Sequence, residues 1–250
     1  MRADHPVAIV TGAAGGVGRA TVGVLRRAGL AIVAVDVSPA VADLEAGPGS
    51  APEIVSLQQD VRRPGAAAET VREVQERFGR LDVLVNNAGR FLRKPIIDTD
   101  DAEFDDLIQI NARSAFSYTR ETMPLLRASG GCVVNVASTS GFIGVAEQAV
   151  YAMSKGAIIQ LTRQQAIEQA RYGVRVNAVA PGAIDTDFTA ESRAADPDPE
   201  ATARASLARH PIGRFSTADE VAATIAYLSS PIASGITGAV VNVDGGYLAQ

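Results

Sequence analysis

The 250-residue chain has one cysteine, two histidines and two lysines, and each shortage excludes a class of protein. A single thiol, Cys132, cannot form an internal disulfide and fits a reducing compartment; its apolar, strand-like surroundings predict a buried, inert side chain. His5, His210 and that cysteine offer no metal-ligand cluster at usable spacing, so no metal is expected. No apolar run approaches the ~18–20 residues of a membrane span. The first residues carry no signal-peptide pattern, so a cytoplasmic protein without a membrane partner is expected. With a net charge of −5 the chain lacks the electrostatic footprint of a nucleic-acid binder. It has no Gly-x-Ser-x-Gly elbow, which argues against an α/β-hydrolase triad. Its glycine-rich loop is not followed by Lys-Ser or Lys-Thr, which excludes a P-loop NTPase.

What is present is ordinary in bulk, 47% hydrophobic and 20% charged residues, and informative in order. Seven short apolar runs read as buried strands: Val7–Val10, Ala31–Val35, Ile54–Leu57, Val83–Val85, Val133–Val136, Val174–Val179 and Ala239–Val243. Between them Gly18–Ala28, Ala66–Phe78, Phe104–Arg127, Tyr151–Arg171 and Ala218–Leu228 read as helices, with some of them open to being broken or paired. Continuous apolar strands alternating with helices predict a parallel sheet covered on both faces. The expected class is α/β, a single Rossmann-type doubly wound domain over residues 1–250 with a seven-stranded parallel sheet. The acids from Asp98 to Asp106 precede a helix, where they complement its dipole. Thr217 and Glu220 fit a capping box. Residues 183–213, long, acidic and broken by prolines, are expected to form a lid over the substrate.

The first strand runs into Thr11-Gly12-Ala13-Ala14-Gly15-Gly16-Val17-Gly18 and then a helix. Such glycines allow a tight turn and a close backbone approach, and the helix start offers free amides to a pyrophosphate. Alone this is weak evidence for a nucleotide. Asp36, at the end of the second strand, adds to it: a carboxylate there can accept both hydroxyls of an adenosine ribose and would repel a 2′-phosphate. No basic residue stands beside Gly16 or Asp36 to offset that repulsion, so NAD is expected over NADP.

In the fourth helix, Tyr151-Ala152-Met153-Ser154-Lys155 places a phenol and an ammonium four positions apart on one face. With five tyrosines and two lysines in the chain, chance seldom produces this pair. An ammonium within ~4–6 Å favours a phenolate and is expected to lower the ordinary tyrosine pKa of ~10 toward the range of a general acid–base. The pair alone is equally compatible with a packed tyrosine beside a snorkelling lysine.

Taken together, Gly12–Gly18, Asp36, Asn86-Asn87-Ala88-Gly89 and Tyr151–Lys155 resemble the classical short-chain dehydrogenase/reductase family, in its order and at its spacing over essentially the whole chain. The resemblance implies that Thr11, Gly12, Gly16, Val17 and Gly18 form the cofactor loop, and that Asp60 and Val61 border the adenine. It implies that Asn87, Ala88 and Gly89 lie beside the cofactor, and that Asn111 kinks a helix and holds a water near the catalytic lysine. Ser138, thirteen residues before Tyr151, matches the catalytic serine, with Ser140 left a pocket role or none. Ala137 replaces a second serine common in the family. Pro181, Gly182, Ile184 and Thr186 match the segment at the nicotinamide end.

The implied activity is NAD-dependent oxidoreduction between a secondary alcohol and a ketone, with Tyr151 as acid or base, Ser138 on the substrate oxygen and Lys155 on the nicotinamide ribose. Two alternatives stand beside it: an NADP-dependent 3-oxoacyl or polyketide-type ketoreductase, against which Asp36 argues, and a non-catalytic NAD-binding sensor or subunit. A mostly apolar pocket wall is expected from Phe91, Phe142, Ile143, Val145, Gln148 and Phe188, with Arg90, Arg93 and Lys94 as candidate grips for an anionic substrate. The family implies a homotetramer built on the last strand and the long helices Asp106–Arg127 and Tyr151–Arg171; a monomer on gel filtration would contradict it.

Overall fold

Seven parallel strands form one sheet in the order β3-β2-β1-β4-β5-β6-β7. The structure, a computed structural model, describes residues 5–44, 52–184, 188 and 196–250. The strands are β1 (Val7–Thr11), β2 (Ala31–Asp36), β3 (Ile54–Gln58), β4 (Val83–Asn86), β5 (Cys132–Val136), β6 (Arg175–Pro181) and β7 (Val240–Val243). The helices are α1 (Gly16–Arg27), α2 (Ala66–Arg77), α3 (Asp101–Ile108), α4 (Ser114–Ser129), α5 (Ala149–Gln169), α6 (Pro199–Leu207) and α7 (Ala218–Ser229).

The continuous apolar runs have a direct cause. Side chains alternate across a strand, and here both sets are buried. Val7, Ile9, Val33, Leu84 and Val133 face one core with Val74 and Phe78 at α2 and Tyr118 and Leu126 of α4. Ala8, Val10, Ile32, Val85 and Val134 face the other, with Val22 and Leu25 of α1 and Val221 and Ile225 of α7. The chain reverses its direction of winding at β1, which lies between β2 and β4, and there the C-terminal strand ends open a crevice.

The acids expected before the third helix are its first turn. The helix begins at Asp101, not Phe104, with Asp100 and Glu103 closing a capping box in which each side chain accepts from the other's backbone amide. Thr217 and Glu220 cap α7 in the same way. The helical stretch read over Phe104–Arg127 is one of those that break: it is divided between α3 and α4 by a π turn at Gln109–Arg113, which carries Asn111. A π insertion shifts every following side chain around the helix, a change that apolar periodicity does not reveal. Within the expected lid, residues 199–207 are helical as α6; residues 185–187 and 189–195 of that segment lie outside the described residues. Among the described residues no helix is long and apolar enough to cross a membrane, and no cluster of metal-ligating side chains occurs. Cys132 is buried in β5, and burial pushes its thiol up to about 11, far from nucleophilic.

Candidate active site

All strands being parallel, their C-terminal ends share one edge, and the residues singled out in the sequence come together there. Gly12 sits at a φ of +63°, and a Cβ on it would meet the Ala88 Cα at 2.8 Å. At Gly18 a Cβ would fall 1.9 Å from the Gly12 carbonyl oxygen, so the loop folds back onto the first turn of α1 only because that atom is missing. Gly16 opens α1 and Val17 packs partly against the α1-side core. Gly15 and Gly16 are exposed, no side chain caps α1, and its first turn holds no acid. The helix start is therefore open to an anion.

Asn87 fastens this loop to β4. Its Nδ2 donates to the carbonyls of Thr11 and Gly12, both at 2.9 Å, and the Thr11 hydroxyl accepts from the Asn87 and Ala88 amides at 3.1 Å. Asp36 is oriented by backbone: its two carboxylate oxygens accept from Ala14 and Ser38 amides at 2.9 Å each. Each oxygen keeps acceptor capacity for a ribose hydroxyl. Asp60 lies just past β3, gripped by Arg62, whose guanidinium holds its carboxyl below the ordinary value. Val61 packs against the core. Pro181 ends β6 opposite Val243, and Gly182 follows, its amide bonded to the Val243 carbonyl. Ile184 bridges to Ser216, and Thr186 lies outside the described residues. An open helix start, a cradle shaped by absent Cβ atoms and a carboxylate at the second strand end fit a dinucleotide.

The chemical groups lie at the ends of β4 and β5 and on α5. Tyr151 and Lys155 are buried, 6% and 3% exposed. Ser138, whose hydroxyl accepts from the Ser140 amide at 3.2 Å, lies close enough to the Tyr151 phenol to favour its ionised form. Lys155 Nζ donates to the Val136 carbonyl at 2.9 Å and lies 5.8 Å from the Tyr151 ring centroid. These positions correct one expectation. Lys155 does not lower the phenol in this chain: burial pushes Tyr151 up to about 12, opposed only by the nearby Ser138 hydroxyl, and pushes Lys155 down to about 8. Two groups withdrawn from water each favour their neutral form, and the ammonium spends its hydrogen bond on a carbonyl rather than on the phenol.

Asn111 is buried beside this pair. Its side chain accepts from the Arg90 amide at 2.8 Å and donates to the Arg90 carbonyl and the Ser154 hydroxyl at 3.0 Å. Its carboxamide thus ties the loop after β4 to α5. A Cβ on Gly89 would sit 3.3 Å from Asn111 Oδ1 and 3.5 Å from Lys155 Nζ, so the three converge.

Sequence reasoning missed Gly141. A Cβ there would lie 2.7 Å from Ile159 Cδ1 and 2.9 Å from the carbonyl carbon and oxygen of Lys155. This glycine lets the turn after Ser138 lie directly on α5, setting Ser138 against Tyr151. A glycine three residues after a strand-end serine is the only sequence signal, and a weak one. Ser140 has a role of its own: its hydroxyl donates to Gln148 Oε1 at 2.8 Å.

Above Tyr151 the wall is apolar. Phe91 packs edge-on against the Tyr151 ring at 4.9 Å and meets Phe188 at 6.3 Å. Phe142 and Phe188 are exposed, while Ile143, Val145 and Gln148 are half-buried. The three candidate cations are all paired with carboxylates: Arg90 with Asp106 at 2.9 Å, Arg93 with Glu147 and Asp196 at 2.8 Å, and Lys94 with Glu103 at 2.7 Å. None stands free for an anionic substrate.

A family described as Enoyl-(Acyl carrier protein) reductase matches residues 12–248. The chain is 35% identical to the 3-oxoacyl-[acyl-carrier-protein] reductase of Thermotoga maritima, covering 98% of this chain and 99% of the relative. It is 37% identical to levodione reductase of Leifsonia aquatica, covering 96% and 93%. It superposes with a TM-score of 0.89, at 35% identity over 98% of this chain and 97% of the other, on a solved NAD(P)-dependent gluconate 5-dehydrogenase, putative by its description, from Beutenbergia cavernae with bound NADP.

Proposed function

Because the chain belongs to the short-chain dehydrogenase/reductase family and is an oxidoreductase-type Rossmann protein, we propose that it interconverts an uncharged secondary alcohol and its ketone with NAD as cofactor. The observation that carries this reading is the buried trio of Ser138, Tyr151 and Lys155 beneath an apolar wall whose neighbouring cations are all neutralised.

Thr11, Gly12, Gly16, Val17, Gly18, Asn87 and Ala88 would hold the dinucleotide phosphates and the adjoining sugar, and Asp36 the adenosine ribose. Asp60 and Val61 would border the adenine, with Pro181, Gly182, Ile184 and Thr186 at the nicotinamide end. Bound there, the nicotinamide supplies the hydride donor or acceptor. Ser138 and Tyr151 together hydrogen-bond the substrate oxygen. In reduction Tyr151, held protonated by its raised pKa, gives its proton to the forming alkoxide. In oxidation it takes the hydroxyl proton as a phenolate, a form that burial disfavours, so the protonated phenol of the reductive direction is the resting form.

Asp36 supports NAD, because a 2′-phosphate would meet its carboxylate in place of ribose hydroxyls. The NADP bound to the Beutenbergia protein makes NADP-dependent reduction the second reading. The wall of Phe91 and Phe188 and the kinship with levodione reductase favour a compact alicyclic substrate over a carrier-bound chain. We also assign the protein to the cytoplasm, as its lone buried thiol suits, and to a homotetramer. On α4 and α5, Phe116 is 50% exposed and Ile167 80%, apolar surface that a partner copy would cover. The test is nicotinamide absorbance with NAD or NADP against a panel of cyclic and open-chain secondary alcohols and ketones. NAD-dependent turnover abolished in Tyr151→Phe supports the reading. Tight NAD binding without turnover on any panel member would refute it in favour of a sensor or subunit.

A further inference from the structure

Two polar side chains beside the reacting groups are bonded to each other and have no part in the proton transfer. Ser140 stands two residues after Ser138, in the turn that follows β5. Gln148 is the N-cap of α5, three residues before Tyr151, so both belong to the first turn of that helix. The Ser140 hydroxyl donates to Gln148 Oε1 at 2.8 Å, and the Ser140 amide donates to Ser138 Oγ at 3.2 Å. The pair therefore joins the same two segments that carry Ser138 and Tyr151. Gln148 caps none of the free amides of α5, so its side chain is not spent on the helix.

This bond decides which end of the carboxamide is on offer. A donating hydroxyl takes the amide oxygen and leaves Nε2 with both of its protons. Among the described residues Nε2 has no partner, and the side chain is half-buried. The residue before it is held in an uncommon conformation. Glu147, at a φ of +63°, is the only described residue other than glycine in the left-handed region. Two contacts enforce that conformation: the Lys94 amide donates to the Glu147 carbonyl at 2.6 Å, and Arg93 Nε donates to its carboxylate at 2.8 Å. Strained backbone persists where its surroundings over-determine it, and it gathers at ligand sites. Here it fixes where the Gln148 side chain leaves the backbone.

We propose that Gln148 is a second polar subsite of the substrate pocket, its Nε2 donating to an uncharged oxygen a few bonds from the carbon that Ser138 and Tyr151 serve. This rests on the reading given under Proposed function and narrows its substrate class. The preferred substrate is a diketone or hydroxyketone rather than a plain cyclic ketone. The second oxygen is uncharged because Arg90, Arg93 and Lys94 are all paired with carboxylates, which leaves none of them to offset a negative group. Ser140 is the positioning residue: without its hydroxyl the carboxamide is free to turn either end to the substrate.

The test measures kcat and KM for cyclohexanone and cyclohexane-1,4-dione, or the corresponding pair of whichever ring or chain the enzyme accepts. The full chain is saturated with the reduced nicotinamide cofactor it uses, and the readout is the diketone-to-monoketone ratio of kcat/KM. Gln148→Met should lower that ratio about 3–10-fold, the effect of one hydrogen bond, with the loss in KM because the second oxygen is unchanged by the reaction. Gln148→Glu keeps an acceptor for Ser140 but has no proton to donate, so it should lower the ratio at least as far. A pair that only braced the turn would leave Gln148→Glu at the wild-type ratio. Ser140→Ala should lower the ratio by less and add nothing to Gln148→Met in the double variant. A ratio unchanged in Gln148→Met, a ratio kept in Gln148→Glu, or additive losses in the double variant would overturn the subsite while ketone turnover upholds the functional reading. A wild type that turns over no panel member overturns that reading and the subsite with it.

Discussion

Replacing Lys155 with Met should stabilise the cofactor-free protein while destroying its activity. The ammonium is 3% exposed, and burial brings its pKa from the ordinary 10.5 down to about 8. At ~1.4 kcal/mol per unit, keeping it charged at neutral pH costs the fold about 3 kcal/mol. Met fills nearly the same volume without charge. The substitution also leaves the Val136 carbonyl without the 2.9 Å bond from Nζ, a loss of about 1 kcal/mol. The net gain is about 2 kcal/mol, or about 4–8 °C in Tm for a chain of this length.

The sign follows from proton binding. Between pH 8 and 10.5 the unfolded chain holds the lysine proton more tightly than the folded one, so stability rises with pH across that window. The penalty is complete below pH 8 and absent above 10.5. Thermal melts of wild type and Lys155→Met at pH 7, 8.5 and 10.5 should therefore show a gap that is widest at pH 7 and closes toward 10.5. A variant less stable than wild type at pH 7, by an amount that does not change with pH, would refute the claim that the lysine is buried at the expense of stability.

Tyr151→Phe should lower turnover about 10²–10⁴-fold with cofactor affinity within twofold of wild type, read by steady-state rates and NADH fluorescence. Asp36→Ala removes the carboxylate from β2's end and should weaken NAD about 10–100-fold while narrowing its advantage over NADP, measured as the ratio of the two dissociation constants; an unchanged ratio would deny Asp36 its role. Gly141→Ala places a methyl against the Lys155 backbone, which cannot retreat without moving α5. It should cost about 1–3 kcal/mol in a denaturant melt and lower kcat by displacing Ser138, and retention of both would show that the turn has room.

Much of the molecule is legible from the chain alone, for identifiable reasons. A strand buried on both faces is apolar wherever no partner satisfies a polar group, so β1, β2 and β4 announce themselves as apolar runs, and β5 does so around Asn135, whose side chain is bonded to Asn86 and Thr162. The cofactor loop is legible because Gly12 and Gly18 occupy positions where a Cβ would strike backbone, and Tyr151 and Lys155 because four residues return a helix to the same face. These are local constraints, expressed in neighbouring residues.

Other features were decided only where distant segments meet. The π turn at Gln109–Arg113 is settled by Asn111 bonding the Arg90 backbone across 21 residues. Gly141 matters only because α5 arrives beside it. Arg90, Arg93 and Lys94 read as a free basic run until their carboxylates are located, the farthest of them Asp196, 103 residues along the chain from Arg93. The direction of the Tyr151 shift was likewise a tertiary outcome. Sequence places an ammonium near a phenol, and that alone predicts a lowered pKa. Burial withdraws both from water, and desolvation, a property of the surrounding fold rather than of the pair, sets the sign.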